Sequence, residues 1–359
     1  MIKKTFFTLA FATLYACSST HSAPPGPEDA PLPASVFKQQ PLVTHLFTAD
    51  PSAHNFNGTI WIYPSHDIES SNFLGTGEGA AFDMRDYHVF SMDSPTGTVK
   101  DWGPALTLED IPWAKAQLWA PDAAEKNGTY YLFFPAKDDQ GIFRIGVATA
   151  PQPQGPFTAE ANYIPGTYSI DPSVYQDGKD YYLYVGGIRG GQLQQWDNNE
   201  YHGEDRYKKD HEAAYSPKIA KLSGDLKSLA EPLTNVLIVD ENGDPLKESH
   251  PQSFFEAAWI HKFNGTYYLS YSTGFTRSIA YATSDSPYGP FTYQGEVLKP
   301  VYGWTNHHSI VEHNNKWYLY YHDSQLSGGK IQLRNMKVME IHHDKNGRIK
   351  TESAFVKDF

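Results

Sequence analysis

Five stretches of the chain repeat one plan, and no other feature limits its possible folds so tightly. They are ADPSAHNFNGTIWIYPSHD from residue 49, APDAAEKNGTYYLFFPAKD from 120, IDPSVYQDGKDYYLYVGG from 170, FEAAWIHKFNGTYYLSYSTG from 255 and HHSIVEHNNKWYLYYHDS from 307. Each opens on a polar or charged residue and small residues. A two-residue turn signal (Asn-Gly, Asp-Gly or Asn-Asn) follows, then a run of aromatic and aliphatic side chains. Asn-Gly between apolar runs marks a β-hairpin, because both central residues of a type I′ turn need positive φ. Two units also continue alike. GIFRIGVATAPQPQGPFT (141–158) matches RSIAYATSDSPYGPFT (277–292), each a third strand followed by a Pro/Gly turn. Repetition of such units is the mark of a β-propeller, whose blades bury their faces only against their neighbours. No segment shows a helical period, and the polar stretch 195–218 reads as a loop insertion. The expected class is therefore all-β: one five-bladed propeller over residues 41–359.

The three Asn-Gly-Thr triplets, at Asn57, Asn127 and Asn264, are accounted for by the hairpin turns rather than by glycosylation. A formal charge of −12 argues against a nucleic acid partner, which would need a basic face. Residues 1–17 resemble a bacterial export signal: Lys3 and Lys4, then an apolar stretch from Phe6 to Ala16 too short to span a bilayer. The only cysteine, Cys17, ends this stretch in LYAC, like the lipoprotein box in which the cysteine is lipidated; Tyr15 departs from the small residue usual there. Ordinary signal cleavage nearby is the alternative. Either way the chain has no disulfide and no thiol nucleophile to offer. Residues 18–40, with five prolines, read as an extended tether. The expectation is an exported protein, periplasmic or anchored to the outer membrane, touching the membrane only through that lipid.

In a propeller the innermost strand of each blade borders the central channel, so residues opening the repeats converge at one mouth. Those residues are Asp50, Asp122, Asp171, Glu256 and His307. One aspartate at the start of a strand is ordinary turn chemistry; four carboxylates and a histidine at one place in five repeats point to a shared site. Facing carboxylates suit a metal cage or a general acid and base. Glycoside hydrolysis needs one carboxyl protonated for the leaving oxygen and another ionised to activate water. Asp50 and Asp171 lie in DPS, a polar turn context expected to keep both ionised. Glu256 follows two phenylalanines and precedes Ala-Ala-Trp, where desolvation should raise its pKa and suit it to act as the acid.

ADPS, WAPDAA, SIDPSVY and FFEAAWIHKFNGTYYLSYSTG, in that order, resemble glycoside hydrolase family 43 from residue 41 to near the end. The resemblance implies a five-bladed propeller of inverting enzymes that act on xylose- and arabinose-containing polysaccharides. It implies Asp50 as the general base, Asp171 as the carboxylate that tunes and holds the acid, and Glu256 as the general acid. It further implies a channel histidine, His307, that holds calcium or its waters; a channel histidine without metal is the alternative. Arg334, in IQLRNMKV, resembles an arginine that contacts sugar or a catalytic carboxylate. Asp122, Trp119 and Trp259 are candidates for substrate contact, the two tryptophans equally for core; His66, Asp67 and Asp83 remain undecided between loop and site. The reading that results is an exo-acting β-D-xylosidase on xylo-oligosaccharides. The alternatives are an α-L-arabinofuranosidase, an endo-arabinanase or a sugar-binding propeller without catalysis.

Overall fold

The computed structural model describes residues 31–70 and 79–357; the expected signal sequence and Cys17 lie outside them. Five antiparallel sheets follow one another along the chain. Blade one has strands Phe47–Phe56, Thr59–Asp67, Asp86–Met92 and Lys100–Thr107. Blade two has Asp122–Lys126, Thr129–Lys137, Phe143–Ala150 and Thr158–Ala159. Blade three has Ser173–Asp177, Asp180–Val185, Lys218–Lys221 and Thr234–Asn235. Blade four has Phe254–Phe263, Thr266–Thr273, Ile279–Ser284 and Phe291–Leu298, with Ile238–Val239 added in parallel at its outer edge. Blade five has His308–His313, Lys316–Asp323 and Asn335–Ile341. No α-helix occurs among the described residues.

The first two strands of each blade meet through the expected tight turns. Asn57-Gly58, Asn127-Gly128, Asn264-Gly265 and Asn314-Asn315 all have positive φ at both positions, as type I′ geometry requires. In blade three Asp177 pairs with Asp180, so the loop is Gly178-Lys179, one residue later than the Asp-Gly signal suggests. The insertion within blade three carries a small hairpin, Trp196–Asp197 with Glu200–Tyr201, and Trp196 stacks on Tyr168 with ring centroids 4.1 Å apart.

Apolar faces close only between blades. Trp61, Tyr63, Leu132 and Phe134 join blades one and two, and Ile310, Leu319, Tyr281 and Leu298 join blades four and five. Between blades five and one, Tyr320 and Met336 meet Ile60, Ile62 and Phe90. The circle is closed by backbone bonds: the Leu42 and Thr48 amides donate to the Met336 and Arg334 carbonyls. The tether expected to reach residue 40 ends earlier. Lys38 donates to Ala354, Val356 donates to Val36, and Phe37 is buried against Tyr302 and Phe355. An apolar ring on a strand edge finds partners there that a solvated linker lacks.

Candidate active site

At one mouth of the channel a cavity of about 480 Å³ is floored by Asp50, Asp171, Glu256, His307 and Arg334. Its walls are apolar, among them Phe82, Met84, Trp119, Ile170 and Phe255. The three carboxylates reach it through irregular backbone. Asp50 (φ 49°) and Asp171 (φ 56°) sit in the left-handed region, and the register of the first strand slips between Ala49 and Ser52. The strand carrying Glu256 slips twice, between Phe254 and Glu256 and again before Trp259, with Ala257 at φ 62°. Bulges of this kind turn a side chain away from the sheet's alternation, at a conformational cost of about 1–3 kcal/mol per strained residue. The cost is offset by local bonds: the Ala257 amide donates to Asp171 Oδ2 at 3.0 Å, gripping the backbone next to Glu256. Gly187 packs so closely that a Cβ would lie 2.6 Å from Ile170 and 3.2 Å from Glu256 Cβ.

Asp50 is held by a cation. Arg334 donates to both of its oxygens, at 3.0 and 3.3 Å, and Ser65 Oγ donates to Oδ2 at 2.7 Å. His322 Nδ1 lies 3.0 Å from the Asp50 amide and 3.2 Å from Oδ1. Burial works to raise this carboxyl, but the Arg334 guanidinium, helped by His322, outweighs it and holds it well below the usual carboxylate range. Arg334 is itself fixed by Asp67, whose oxygens accept from Nε and a terminal nitrogen at 2.9 Å each, while the Phe82 ring lies 5.0 Å from the guanidinium carbon.

Glu256 has the opposite surroundings. Burial first, then the charge of Asp50, push its carboxyl up to about 8 despite Arg334. Asp171 departs from the expectation that it stays ordinarily ionised. It is buried, and burial together with Glu256 and Asp50 raises it well above the usual range, against the Ala257 amide and Arg334. A polar turn in sequence is not a solvated one once two carboxyls face it. Asp171 and Glu256 thus titrate as a pair. The Ala257 amide opposes the rise in Asp171 without cancelling it, so both carboxyls of the pair are raised. His307 Nδ1 stands between Asp50 (3.6 Å) and Asp171 (3.8 Å), and burial lowers this imidazole to about 4, so it is neutral.

Two expected substrate contacts are corrected. Asp122 does not face the cavity: its oxygens accept from Ser52 Oγ (2.5 Å), His54 Nε2 (2.7 Å) and the Val174 amide (2.5 Å). Trp259 is core, its Nε1 donating to the Ile310 carbonyl and its ring 5.4 Å from that of His54. One cause explains both. Asp50, Asp171 and His307 each lie seven residues before the first turn residue of their hairpin, whereas Asp122 and Trp259 lie five before theirs. They belong, with Ser52, Ser173 and Ser309, to the next layer down the channel. In blade two the mouth position is Ala120, which lines the cavity. Trp119 does form a wall, anchored by Nε1 on the Phe82 carbonyl and by Phe143 at 4.7 Å. Of the undecided residues, Asp67 serves Arg334, Asp83 pairs with Arg85 at 3.1 Å and His66 bonds Asp86. Phe82 and His322 were missed as site residues; the only signals near them were the polar crowding of DMRD, just after Phe82, and of YYHDS.

Beyond Glu256 the floor continues into a second recess of about 330 Å³, lined by Arg189, Glu248, Phe275, Arg277 and Trp304. Phe275 and Trp304 are 83% and 59% exposed, which leaves aromatic faces at its rim. An ionised carboxylate fixed by arginine, a protonated one in apolar surroundings and a passage between two recesses make an arrangement suited to acid–base cleavage of an ether-like bond.

Comparison with known proteins agrees. The family model for glycosyl hydrolases family 43 matches residues 43–349. A xylosidase/arabinosidase of Humicola insolens is 52% identical over 87% of this chain and 98% of its own. A beta-xylosidase of Xylanibacter ruminicola is 48% identical over 85% and 96%. A solved beta-xylosidase/alpha-arabinofuranosidase from a compost metagenome, described as a xylotriose complex in calcium-free form, superposes with a TM-score of 0.86. It is 56% identical, over 91% of this chain and 100% of that one.

Proposed function

The chain belongs to glycosyl hydrolase family 43, and on that premise we propose that it removes single xylose units from the non-reducing ends of xylo-oligosaccharides. The observation that carries this reading is the split between Asp50 and Glu256: two carboxyls of one floor, one held ionised by Arg334, the other held protonated by burial. The terminal sugar occupies the recess walled by Trp119 and Phe82, the end remote from the second recess. Asp50 takes a proton from a water that attacks the anomeric carbon. Glu256 gives its proton to the departing glycosidic oxygen, and the rest of the chain leaves toward Phe275 and Trp304. Attack by water opposite the leaving group inverts the anomeric centre. Asp171 titrates with Glu256 and positions its backbone. Relatives carry both xylosidase and arabinosidase names, so α-L-arabinofuranosides are the second substrate class.

The calcium implied for the channel fits these residues poorly as a direct ligand set. His307 offers a nitrogen where calcium takes oxygens, and the carboxylates beside it are already bonded to Arg334 and the Ala257 amide. A cation there would be held through waters on the ring's other nitrogen. We further propose that residues 1–17 direct export and that Cys17 carries lipid; labelling with a radioactive fatty acid, lost in Cys17→Ser, tests this.

The activity test uses p-nitrophenyl β-D-xyloside, p-nitrophenyl α-L-arabinofuranoside and xylobiose, with and without a chelator. Faster release from the xyloside and xylobiose, with α-xylose as the first anomer seen by NMR, is expected. No release from any of the three overturns the reading, and retention of the β anomer overturns the water-attack step.

A further inference from the structure

Outside the catalytic floor, the face of blade one that looks toward blade five carries a cluster the hydrolytic reaction does not use. The register Ile62 with Phe90 continues to place His66 across from Asp86, and Asp86 and His88 share one face of their strand. One ligand atom each of His66, Asp86 and His88 lie within 4.8 Å of one another, the one such group of three among the described residues. His66 Nδ1 is 2.5 Å from Asp86 Oδ1, and the two imidazole rings are 5.2 Å apart.

A second layer orients the set. Asp101 Oδ1 lies 3.2 Å from His88 Nδ1, and its position is fixed by the Gly103 amide at 2.7 Å and by His45 Nε2 at 2.8 Å. With Nδ1–H given to Asp101, His88 keeps the lone pair of Nε2 for a ligand, the carboxylate–histidine pairing that metal-binding imidazoles use. Phe90 stacks under the ring at 23° and restricts its rotation. The side chains of His66, Asp86 and His88 are 16%, 28% and 14% exposed, enough for an ion to enter and too little for them to rotate freely.

We propose that His66, Asp86 and His88 form a binding site for a divalent transition-metal ion of the zinc class. Two imidazoles and one carboxylate are borderline ligands that favour zinc, cobalt, nickel or copper over calcium or magnesium, which want an oxygen shell. Three protein ligands leave a fourth position for water, and ligand atoms open to separations of about 3.3 Å around a tetrahedral zinc. The ion would tie two strands of blade one together one residue before Asp67, the carboxylate that steadies Arg334. The rival account is two imidazole–carboxylate hydrogen-bonded pairs that take up no ion.

The untagged full chain, stripped with a chelator, is titrated with zinc chloride by calorimetry and melted with and without zinc. One zinc per chain and a raised melting temperature are expected, with calcium failing to compete. His88→Gln and Asp86→Asn should each weaken binding at least tenfold and abolish the zinc-dependent shift. Because either variant can also loosen the blade, a wild-type crystal soaked in zinc supplies a second readout by anomalous scattering. A peak between the three side chains supports the site. Absence of stoichiometric uptake, or uptake with the peak at His307 or elsewhere, overturns it.

Discussion

Two rings of side chains line the central channel one above the other, built from the same five inner strands yet opposite in character. The mouth ring contains Asp50, Asp171, Glu256 and His307, its three carboxylates on left-handed or bulged backbone and driven apart in both directions. The ring beneath contains Ser52, Asp122, Ser173, Trp259 and Ser309 on regular strand. There Asp122 Oδ1 accepts from Ser52 and His54 of blade one and Oδ2 from the Val174 amide of blade three, and Ser309 Oγ donates to the Pro51 carbonyl. The same residue type, aspartate, is a reactive group in one ring and a tie between blades in the other. What separates them is two residues of register: the deeper position is saturated by its neighbours, and the upper one opens on a cavity.

The sharpest way to break this contrast is to remove one aspartate from each ring. Asp50→Asn should lower kcat by about 10³–10⁴-fold, the scale of a lost general base, with little change in folding. Asp122→Asn should keep kcat within about tenfold but lower stability by about 1–3 kcal/mol, because the amide cannot accept all three bonds; thermal melts read this. Equal catalytic losses in the two variants would end the layered account.

The acid comes next. Glu256→Gln should cost about 10²–10³-fold on xylobiose and far less on p-nitrophenyl xyloside, whose leaving group departs without a proton. In the wild type Glu256 must be protonated, so kcat/KM should fall as pH rises through about 8. Asp171→Asn leaves Glu256 without the second carboxyl it titrates against, so that alkaline limb should move to lower pH, with kcat down by about 10²-fold. An unmoved limb would refute the paired titration. Arg334→Lys replaces a fork with a point charge. The Asp50 carboxyl should then rise, bringing the acid limb upward, with kcat/KM lower by about 10–100-fold.

The fold was legible because hairpin turns announce themselves locally: at Asn57, Asn127 and Asn264 an Asn-Gly pair between apolar runs takes positive φ at both residues, and the aromatic runs after it are strands. Asp50 and Asp171 were legible as mouth residues for the same reason, each seven residues before its turn; Glu256 lies eight before Asn264 and reaches the mouth through the bulges beside it. The error over Asp122 came from aligning repeats at their opening residues, whereas strand pairing counts from the turn; Trp259, equally open to a core reading, proved to be core. Had the count run back from Asn127 and Asn264, both would have fallen into the lower ring. The role of Asp67, and Phe82 and His322 altogether, were illegible for another reason. Their contacts to Arg334 and Asp50 join strands that are distant in the chain, and no local pattern encodes such meetings. The elevated carboxyl of Asp171 likewise depends on Glu256, 85 residues away.

The smallest expected effect lies outside both rings and tests where the mouth ring's influence ends. Phe275 and Trp304 stand at the rim of the second recess, with the Arg277 guanidinium carbon 5.2 Å from the Trp304 ring. An exposed indole braced by a cation presents a flat face on which a sugar ring can lie. Such a contact contributes about 1 kcal/mol beyond area burial, or several-fold in affinity. Trp304→Ala should therefore raise KM for xylotriose about three- to tenfold while leaving kcat near the wild-type value, since the reacting groups are untouched. For p-nitrophenyl β-D-xyloside, which carries no second or third sugar, the change should be under about twofold. Trp304 also borders the first cavity, so the ratio between the two substrates is the decisive quantity. Equal loss on both would place the indole against the terminal sugar and move the boundary between the recesses outward; loss on the trisaccharide alone sets that boundary at Glu256.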